Sequence, residues 1–148
     1  MLVDAENLFS ALTGQTVTTG SENGVLSTNA VDLGAARNIG VGENLYVVVQ
    51  VVTALAGEGD TCTVALVTDE YAALNSPTTL QTIGTFPANS VAGTRLIARI
   101  QPNASFERYI GLLYTAAGSG ALSAGAFSAF LTHDIDAFTA YADNITIS

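Results

Sequence analysis

Apolar side chains recur at every second residue along most of this chain, and this period of two constrains the fold more than any other feature. The segment Thr94–Gln101 shows it clearly, because Leu96, Ala98 and Ile100 face one way while Arg95 and Arg99 face the other. The segment Leu45–Val52 is apolar on both faces and rich in β-branched residues, which predicts a central strand covered on both sides. Further strands are predicted at residues 15–19, 25–33, 60–68, 78–84, 107–115 and 124–135.

Short connections with turn chemistry join these predicted strands. Asn75–Pro77, Gln101–Asn103 and Gly118–Gly120 are examples. Parallel strands would need crossover connections of about a dozen residues or more, usually helical, and no such segment lies between the strands. The 148 residues are therefore predicted to form a single all-β domain, residues 1–148, that is an antiparallel sandwich or barrel of eight or nine strands.

The two ends of the chain depart from this pattern. Asp4 is placed to cap a short helix whose apolar residues follow a helical spacing and which Gly14 would end. Alternatively, residues 1–14 form an N-terminal arm that is ordered only by docking. Residues 136–148 are predicted to form a C-terminal tail.

Charged residues are scarce and mostly acidic. Only 11% of the chain is charged, against 49% hydrophobic residues, and the net charge is −9. Such a chain repels phosphate backbones, so we expect no direct binding to nucleic acid. The longest apolar stretch, residues 45–56, falls well short of the roughly 20 residues that span a membrane. No basic region precedes an apolar stretch at the N-terminus, which predicts synthesis and retention in the cytoplasm.

The side chains that carry most enzyme chemistry are nearly absent. His133 is the single histidine, and on a strand it faces away from its acidic neighbours Asp134 and Asp136, so these residues do not converge on a metal. Cys62 is the single cysteine, and its place in an alternating strand predicts a buried, reduced thiol. We therefore expect no enzymatic activity, no metal and no cofactor.

Four stretches spread along the chain point to a known family: Asp4–Ser10, Val31–Val49, Glu107–Tyr114 and Ala121–Leu131. In these stretches the chain resembles the small capsid cement proteins of tailed bacteriophages, the group typified by the cement protein of a Bordetella phage. The resemblance implies a jelly-roll-like antiparallel β-sandwich of about eight strands. It also implies a virion protein, made in the host bacterial cytoplasm, that binds the outer surface of an icosahedral head, bridges neighbouring major capsid proteins and stabilises the shell as a dimer or other small oligomer. A homodimer is the commonest default for self-association, whereas three-fold sites on a capsid would favour a trimer.

Three regions are predicted to contact the major capsid protein or a second copy: the arm 1–9, the loop 34–43 and the tail 138–147. Arg37 is the predicted anchor, because arginine pairs bidentately with a carboxylate on a partner. An internal pair of Arg37 with Asp32 or Glu43 is the other interpretation of this residue. The full set of predicted contact residues is Leu2, Phe9, Arg37, Asn38, Glu43, Phe138 and Tyr141.

Two other functions compete with a cement role. A receptor- or carbohydrate-binding β-module of a phage particle could stack sugars on an exposed tyrosine, with Tyr46, Tyr71, Tyr109 and Tyr141 as candidates. The absence of tryptophan speaks against a lectin. A small hydrolase would have to depend on His133.

Overall fold

The structure of the protein is a computed structural model that describes residues 5–37, 39, 42, 44–57, 60–102, 106–118 and 120–133. Within these ranges the chain folds into two antiparallel β-sheets with only single turns of 3₁₀-helix beside them. The all-β sandwich predicted from the period of two is confirmed. The strands are β1 (Leu8–Thr16), β2 (Val25–Leu26), β3 (Val31–Asp32), β4 (Tyr46–Ala56), β5 (Thr61–Asp69), β6 (Thr78–Phe86), β7 (Arg95–Arg99), β8 (Tyr109–Ala117) and β9 (Ala124–Thr132).

The strand order is that of a jelly roll. One sheet has the order β1-β9-β4-β7, and the other has the order β2-β8-β5-β6 with β3 also paired to β8. Since β2 and β3 both pair with β8, they act as one interrupted edge strand. With β2 and β3 taken as one strand, the chain crosses to the other sheet after every strand except β5, because β6 lies in the same sheet as β5. This is the arrangement of two interlocked Greek keys.

The core lies between the two sheets and consists of the inward-facing half of each alternating strand. Burying one such Val, Leu, Ile or Phe side chain contributes about 1.5–3 kcal/mol. The predicted burial of Cys62 is confirmed, and burial raises the pKa of its thiol to about 12, which makes the thiol unreactive. The core includes Val47, Val49 and Val51 of β4, Cys62, Val64 and Leu66 of β5, Ile110, Leu112 and Tyr114 of β8, and Phe127, Ala129 and Leu131 of β9.

Aromatic rings join the two sheets at the centre of this core. Tyr114 stacks on Phe127 with ring centroids 5.0 Å apart and an angle of 11° between the planes. Phe86 lies 5.2 Å from Phe127 on a tilted plane. Because Tyr114 and Phe127 belong to opposite sheets, the stack fixes how the sheets sit on one another.

A chain of polar side chains, buried at Ser10 and Tyr114, connects the sheets beside the aromatic stack. The hydroxyls of Tyr114 and Ser10 lie 2.7 Å apart, and Ser10 donates to Gln15 Oε1 at 2.7 Å. With the single Ser10 proton thus used, the Tyr114 hydroxyl donates to Ser10. The Gln15 amide then bonds the edge of the other sheet, donating to the Leu26 carbonyl at 2.8 Å and accepting from the Thr28 amide at 2.9 Å. The network satisfies a phenol that is completely buried.

A second glutamine links the two sheets at the edges formed by β6 and β7. Gln81 of β6 donates to the Arg99 carbonyl at 2.8 Å and accepts from the Gln101 amide at 3.0 Å. These two groups lie on β7, the edge strand of the other sheet, and on the residues after it. The side-chain amide therefore takes the place of a neighbouring strand and occupies an edge that would otherwise be open to pairing.

The prediction for residues 1–14 is wrong where the structure describes them. Ala5–Asn7 form a single 3₁₀ turn, and from Leu8 the chain is strand β1 paired with β9. The spacing of Leu8, Phe9 and Leu12 suits a helix, but pairing with β9 in the sheet and burial of Phe9 outweigh that local preference. A bulge between Ser10 and the next paired residue interrupts the strand, which adds to the irregular spacing.

Most of the other predicted strands are confirmed with shifted ends. The predicted strand 15–19 is wrong beyond its first two residues, which are the end of β1. The predicted strand 25–33 is two short strands, because Ser27 turns its hydroxyl to the Leu112 amide between them. The predicted central strand 45–52 is confirmed as β4, which lies between β9 and β7. Its residue Val48 faces away from the core and is nevertheless fully buried, so the strand is covered on both sides as predicted. Residues 136–148, the predicted tail, lie outside the described residues.

Replacing Ser10 by Ala should lower the free energy of unfolding by about 1–3 kcal/mol, because the buried Tyr114 hydroxyl loses its partner. Urea denaturation measures this. Ser123→Ala, an exposed serine, is the matched control and should change stability little. The double variant Ser10→Ala with Tyr114→Phe should recover part of the loss, because no orphaned hydroxyl remains. A loss for Ser10→Ala no larger than that of the control would contradict this role.

Replacing Gln81 by Ala should open the β7 edge and increase self-association relative to the wild-type chain. Light scattering over a concentration series measures this. The control is Gln101→Ala, which keeps both bonds because Gln101 contributes only its backbone amide. An unchanged distribution of species in Gln81→Ala would show that the edge is protected by other means.

Candidate interaction surfaces

One end of the sandwich gathers side chains from three distant parts of the chain. Asp32 of β3 lies opposite Tyr109 of β8, and Tyr109 lies opposite Asp69 of β5. The loops that follow Asp32 and Asp69 and the segment that precedes Tyr109 therefore leave the sheet together. We call this surface the Arg108 end, and it comprises residues 32–37, 69–77 and 106–109.

An ion pair organises the Arg108 end. The Arg108 guanidinium donates from Nε and Nη2 to the two carboxylate oxygens of Asp32, both at 2.9 Å, and the Gly34 amide donates to Asp32 at 2.7 Å. These bonds, that of Arg108 first, lower the pKa of Asp32 from 3.8 to about 2. The Arg108 guanidinium carbon also lies 5.1 Å from the ring centroid of Tyr109. The pair is half exposed, so its contribution to stability is small and its main effect is to fix the loop.

Arg37 lies beside this pair but does not pair with Asp32. Its guanidinium donates from Nε and Nη2 to the carbonyl of Leu33, and the side chain is exposed. The interpretation of Arg37 as the internal partner of Asp32 is therefore wrong, because Arg108 takes both carboxylate oxygens. Glu43, the other suggested partner, lies outside the described residues. Arg37 is thus an exposed cation whose guanidinium is held by the carbonyl of its own loop.

The loop between β5 and β6 forms the other half of the Arg108 end. The Asp69 carboxylate, 3% exposed, accepts from the Ser76 amide at 2.8 Å and from the Tyr71 amide at 3.3 Å. These bonds, that of Ser76 first, hold the pKa of Asp69 below its usual range. Tyr71, the second residue of the loop, has 59% of its surface exposed.

The outer face of the second sheet carries no charged side chain over its central rows. Thr63 lies between Thr115 and Thr85, and its hydroxyl is 3.0 Å from that of Thr85. The next row toward the Arg108 end joins Leu113, Ala65 and Thr82. These side chains are half-buried or exposed. We call this surface the threonine face, and its residues are Thr61, Thr63, Ala65, Thr79, Thr82, Thr85, Leu113 and Thr115.

The predicted contact residues fall into three groups. Arg37 is exposed at the Arg108 end. Phe9 is fully buried in the core, so its side chain has no surface to offer a partner, and the prediction of Phe9 as a contact residue is wrong. The other predicted residues lie outside the described residues, namely Leu2, Asn38, Glu43, Phe138 and Tyr141.

His133 is exposed at the end of β9, where its Nδ1 lies 3.3 Å from the Asn44 carbonyl oxygen. Its acidic neighbours Asp134 and Asp136 lie outside the described residues. Among the described residues, no three side chains of the His, Cys, Asp and Glu types lie together as a metal site requires. None of the described helices is long and apolar enough to cross a membrane.

Sequence reasoning missed most of the residues of these two surfaces. The ion pair joins residues 76 positions apart, and no local pattern announces such a contact. The threonine face had a signal, because the alternating strand that predicts a buried Cys62 also requires the residues beside Cys62 to point outward.

Strand order and surface chemistry together define this chain as a small jelly-roll protein with an uncharged sheet face beside a loop-built, arginine-bearing end. A family model for Bbp16 matches residues 10–131, most of the chain. The chain therefore belongs to the Bbp16 family, a family of Bordetella phage proteins. A search of curated proteins found no match.

The lowered pKa of Asp32 predicts a pH-dependent stability. Its ionised form is favoured in the folded state, so the stabilisation is complete above about pH 4 and is lost as the pH falls through about 2. Asp32→Asn should therefore be less stable than the wild type at pH 7, and this difference should shrink between pH 4 and pH 2. Denaturant unfolding at several pH values measures it, with Glu22→Gln, an exposed carboxylate elsewhere, as control. A difference that does not change with pH would contradict the assignment.

Proposed function

We propose that this chain is a capsid cement protein that binds the outer surface of an icosahedral phage head and bridges neighbouring major capsid proteins. Membership of a family of Bordetella phage proteins supports a role in the particle. The jelly-roll sandwich supports a binding role, because its two packed sheets present outer faces to a partner and side-chain bonds hold the loops at one end.

The threonine face is the observation that carries the proposal. The chain has a net charge of −9, yet the central rows of this face present only threonine, alanine and leucine. Burying charged side chains at an interface is costly unless they are paired, and a face without them avoids that cost. Adhesion through this face depends on shape and apolar contact, so salt should have a secondary influence on it.

Stabilisation of the shell arises in this proposal from the number of copies. A stable interface typically buries about 1,200–2,000 Å² in total, and a domain of this size has room for a capsid contact and a contact with a second copy. A symmetric homodimer is the default for such a self-contact, and a trimer would suit a three-fold position on the shell. The proposed role needs no catalysis, no cofactor, no nucleic acid and no membrane.

The direct test is reconstitution. Purified heads that lack this protein are mixed with the wild-type chain, and the copy number per head and the melting temperature of the head are measured. We expect saturable binding and a raised melting temperature. Absence of binding to expanded heads would contradict the cement proposal.

A charge placed in the threonine face tests which surface binds. Thr63→Glu and Thr82→Glu should each weaken head binding about tenfold or more, because the new carboxylate loses its water without a partner. Thr53→Glu on β4 of the other sheet is the control, since Thr53 is exposed and lies outside this face. Unfolding curves check that all three variants are folded. Equal binding by the three variants would rule out the threonine face as the contact.

The alternative, a receptor- or carbohydrate-binding module, has one observation in its favour. Tyr71 is well exposed at the Arg108 end, where a sugar ring could stack on it. Binding of the chain to host-cell surface glycans but not to heads would support this alternative.

A further inference from the structure

The loop between β5 and β6 displays an aromatic side chain that the fold itself does not use. Tyr71 is 59% exposed, and the backbone around it forms a turn in which the Leu74 amide donates to the Tyr71 carbonyl at 3.0 Å. A tyrosine in such a position exposes an apolar ring to water, which is unfavourable, and its ring adds nothing to the packing of the core. It is also among the residues that most often dominate protein interfaces.

Asp69 holds this loop closed at its base. Its carboxylate accepts from the amides of Tyr71 and Ser76, so one side chain ties both halves of the loop together. Asp69 is 3% exposed, which protects these charge-assisted bonds from water. The backbone at Tyr71 is therefore held in place before any partner arrives.

Leu74 pins the far side of the loop in a strained conformation. Its φ is +52°, in the left-handed region that leucine rarely adopts, yet its side chain is 3% exposed. The side chain occupies the space above Gly111 of β8, where an added Cβ would lie 2.4 Å from Leu74 Cδ1. Strain of this kind persists only where the surroundings enforce it, and it concentrates at functional loops.

The loop stands where the two candidate surfaces meet. The base of the loop is the Thr68–Thr78 pair, next to the Val67–Thr79 row at the border of the threonine face. The other side of the loop belongs to the Arg108 end, because Asp69 lies opposite Tyr109. A partner that lies on the threonine face would therefore contact Tyr71 at the border of that face.

We propose that residues 70–77 form a preorganised anchor loop, and that Tyr71 inserts into a pocket on the major capsid protein. The pocket has apolar walls for the ring and a polar group at its floor for the phenol hydroxyl. Because the loop is already ordered, binding does not bear the entropy of fixing it. This inference rests on the proposed cement function and names the contact that supplies much of its affinity.

The test measures binding of the Tyr71→Ala variant to heads that lack the protein. We expect about a tenfold or greater loss of affinity with an unchanged melting temperature of the free chain, because Tyr71 is exposed. Val91→Ala is the matched control. Val91 is 66% exposed in the connection after β6, at the opposite end of that strand from the anchor loop, and its variant should bind as the wild type does. The affinity of Tyr71→Phe for heads should lie between that of the wild type and that of Tyr71→Ala, because this variant keeps the ring and loses the hydroxyl.

Two variants test whether the ordered loop around Tyr71 contributes to binding, separately from the tyrosine side chain itself. Gly111→Ala displaces Leu74, and Asp69→Asn removes an acceptor from the loop amides, while both keep the tyrosine. We expect both to weaken binding and to speed amide hydrogen exchange in residues 70–77. Faster exchange with full binding would show that the loop needs no preorganisation and would overturn that part of the proposal.

The outcomes distinguish the anchor from the cement function. If the wild type binds heads and Tyr71→Ala binds them equally well, the anchor is wrong and the cement function stands. If the wild type does not bind heads, both fail. Loss of glycan binding in Tyr71→Ala, with head binding intact, would assign the tyrosine to a sugar and also overturn the anchor.

Discussion

The contact between the inner faces of the two sheets is the constraint on which the rest of this structure depends. The stack of Tyr114 on Phe127 fills the centre, and the Tyr114 hydroxyl must be satisfied inside an apolar core. Ser10 of β1 provides that bond, and Gln15 of the same strand extends the network to Leu26, at the edge of the sheet that holds Tyr114. Apolar area supplies most of the stability, whereas the polar chain gives the sheets one defined position relative to each other.

The same packing decides the outer surface. Once Cys62, Val64 and Leu66 face the core, the alternation of a strand turns Thr61, Thr63 and Ala65 outward. Pairing with β6 and β8 then sets further threonines beside them, and the result is a face without charge on an acidic protein. The face therefore follows from the register of three strands, and its chemistry suits adhesion to another protein.

The ends of the sandwich follow a different rule, because loops there are held by side-chain bonds to the backbone. Asp32, bonded to Arg108, fixes the start of the connection after β3, and Asp69 fixes the loop between β5 and β6. Sequence reasoning chose Arg37 in this region and the structure keeps it exposed there, but the partner of Asp32 comes from a residue far along the chain. Such pairs are set by strand order, which local periodicity does not encode.

The sequence by itself determined the strands whose alternation is strong, the buried state of Cys62, and the weakly charged, acidic surface, because each depends on residues within about one strand. Only the tertiary structure decided that residues 8–16 are a strand and that Phe9 belongs to the core, since pairing with β9 overrides a helical spacing. It also decided where Tyr71 stands, because Leu74 is held in place by Gly111 of a distant strand. The physical reason is common to these cases: the energies that settle them come from contacts between residues far apart in sequence.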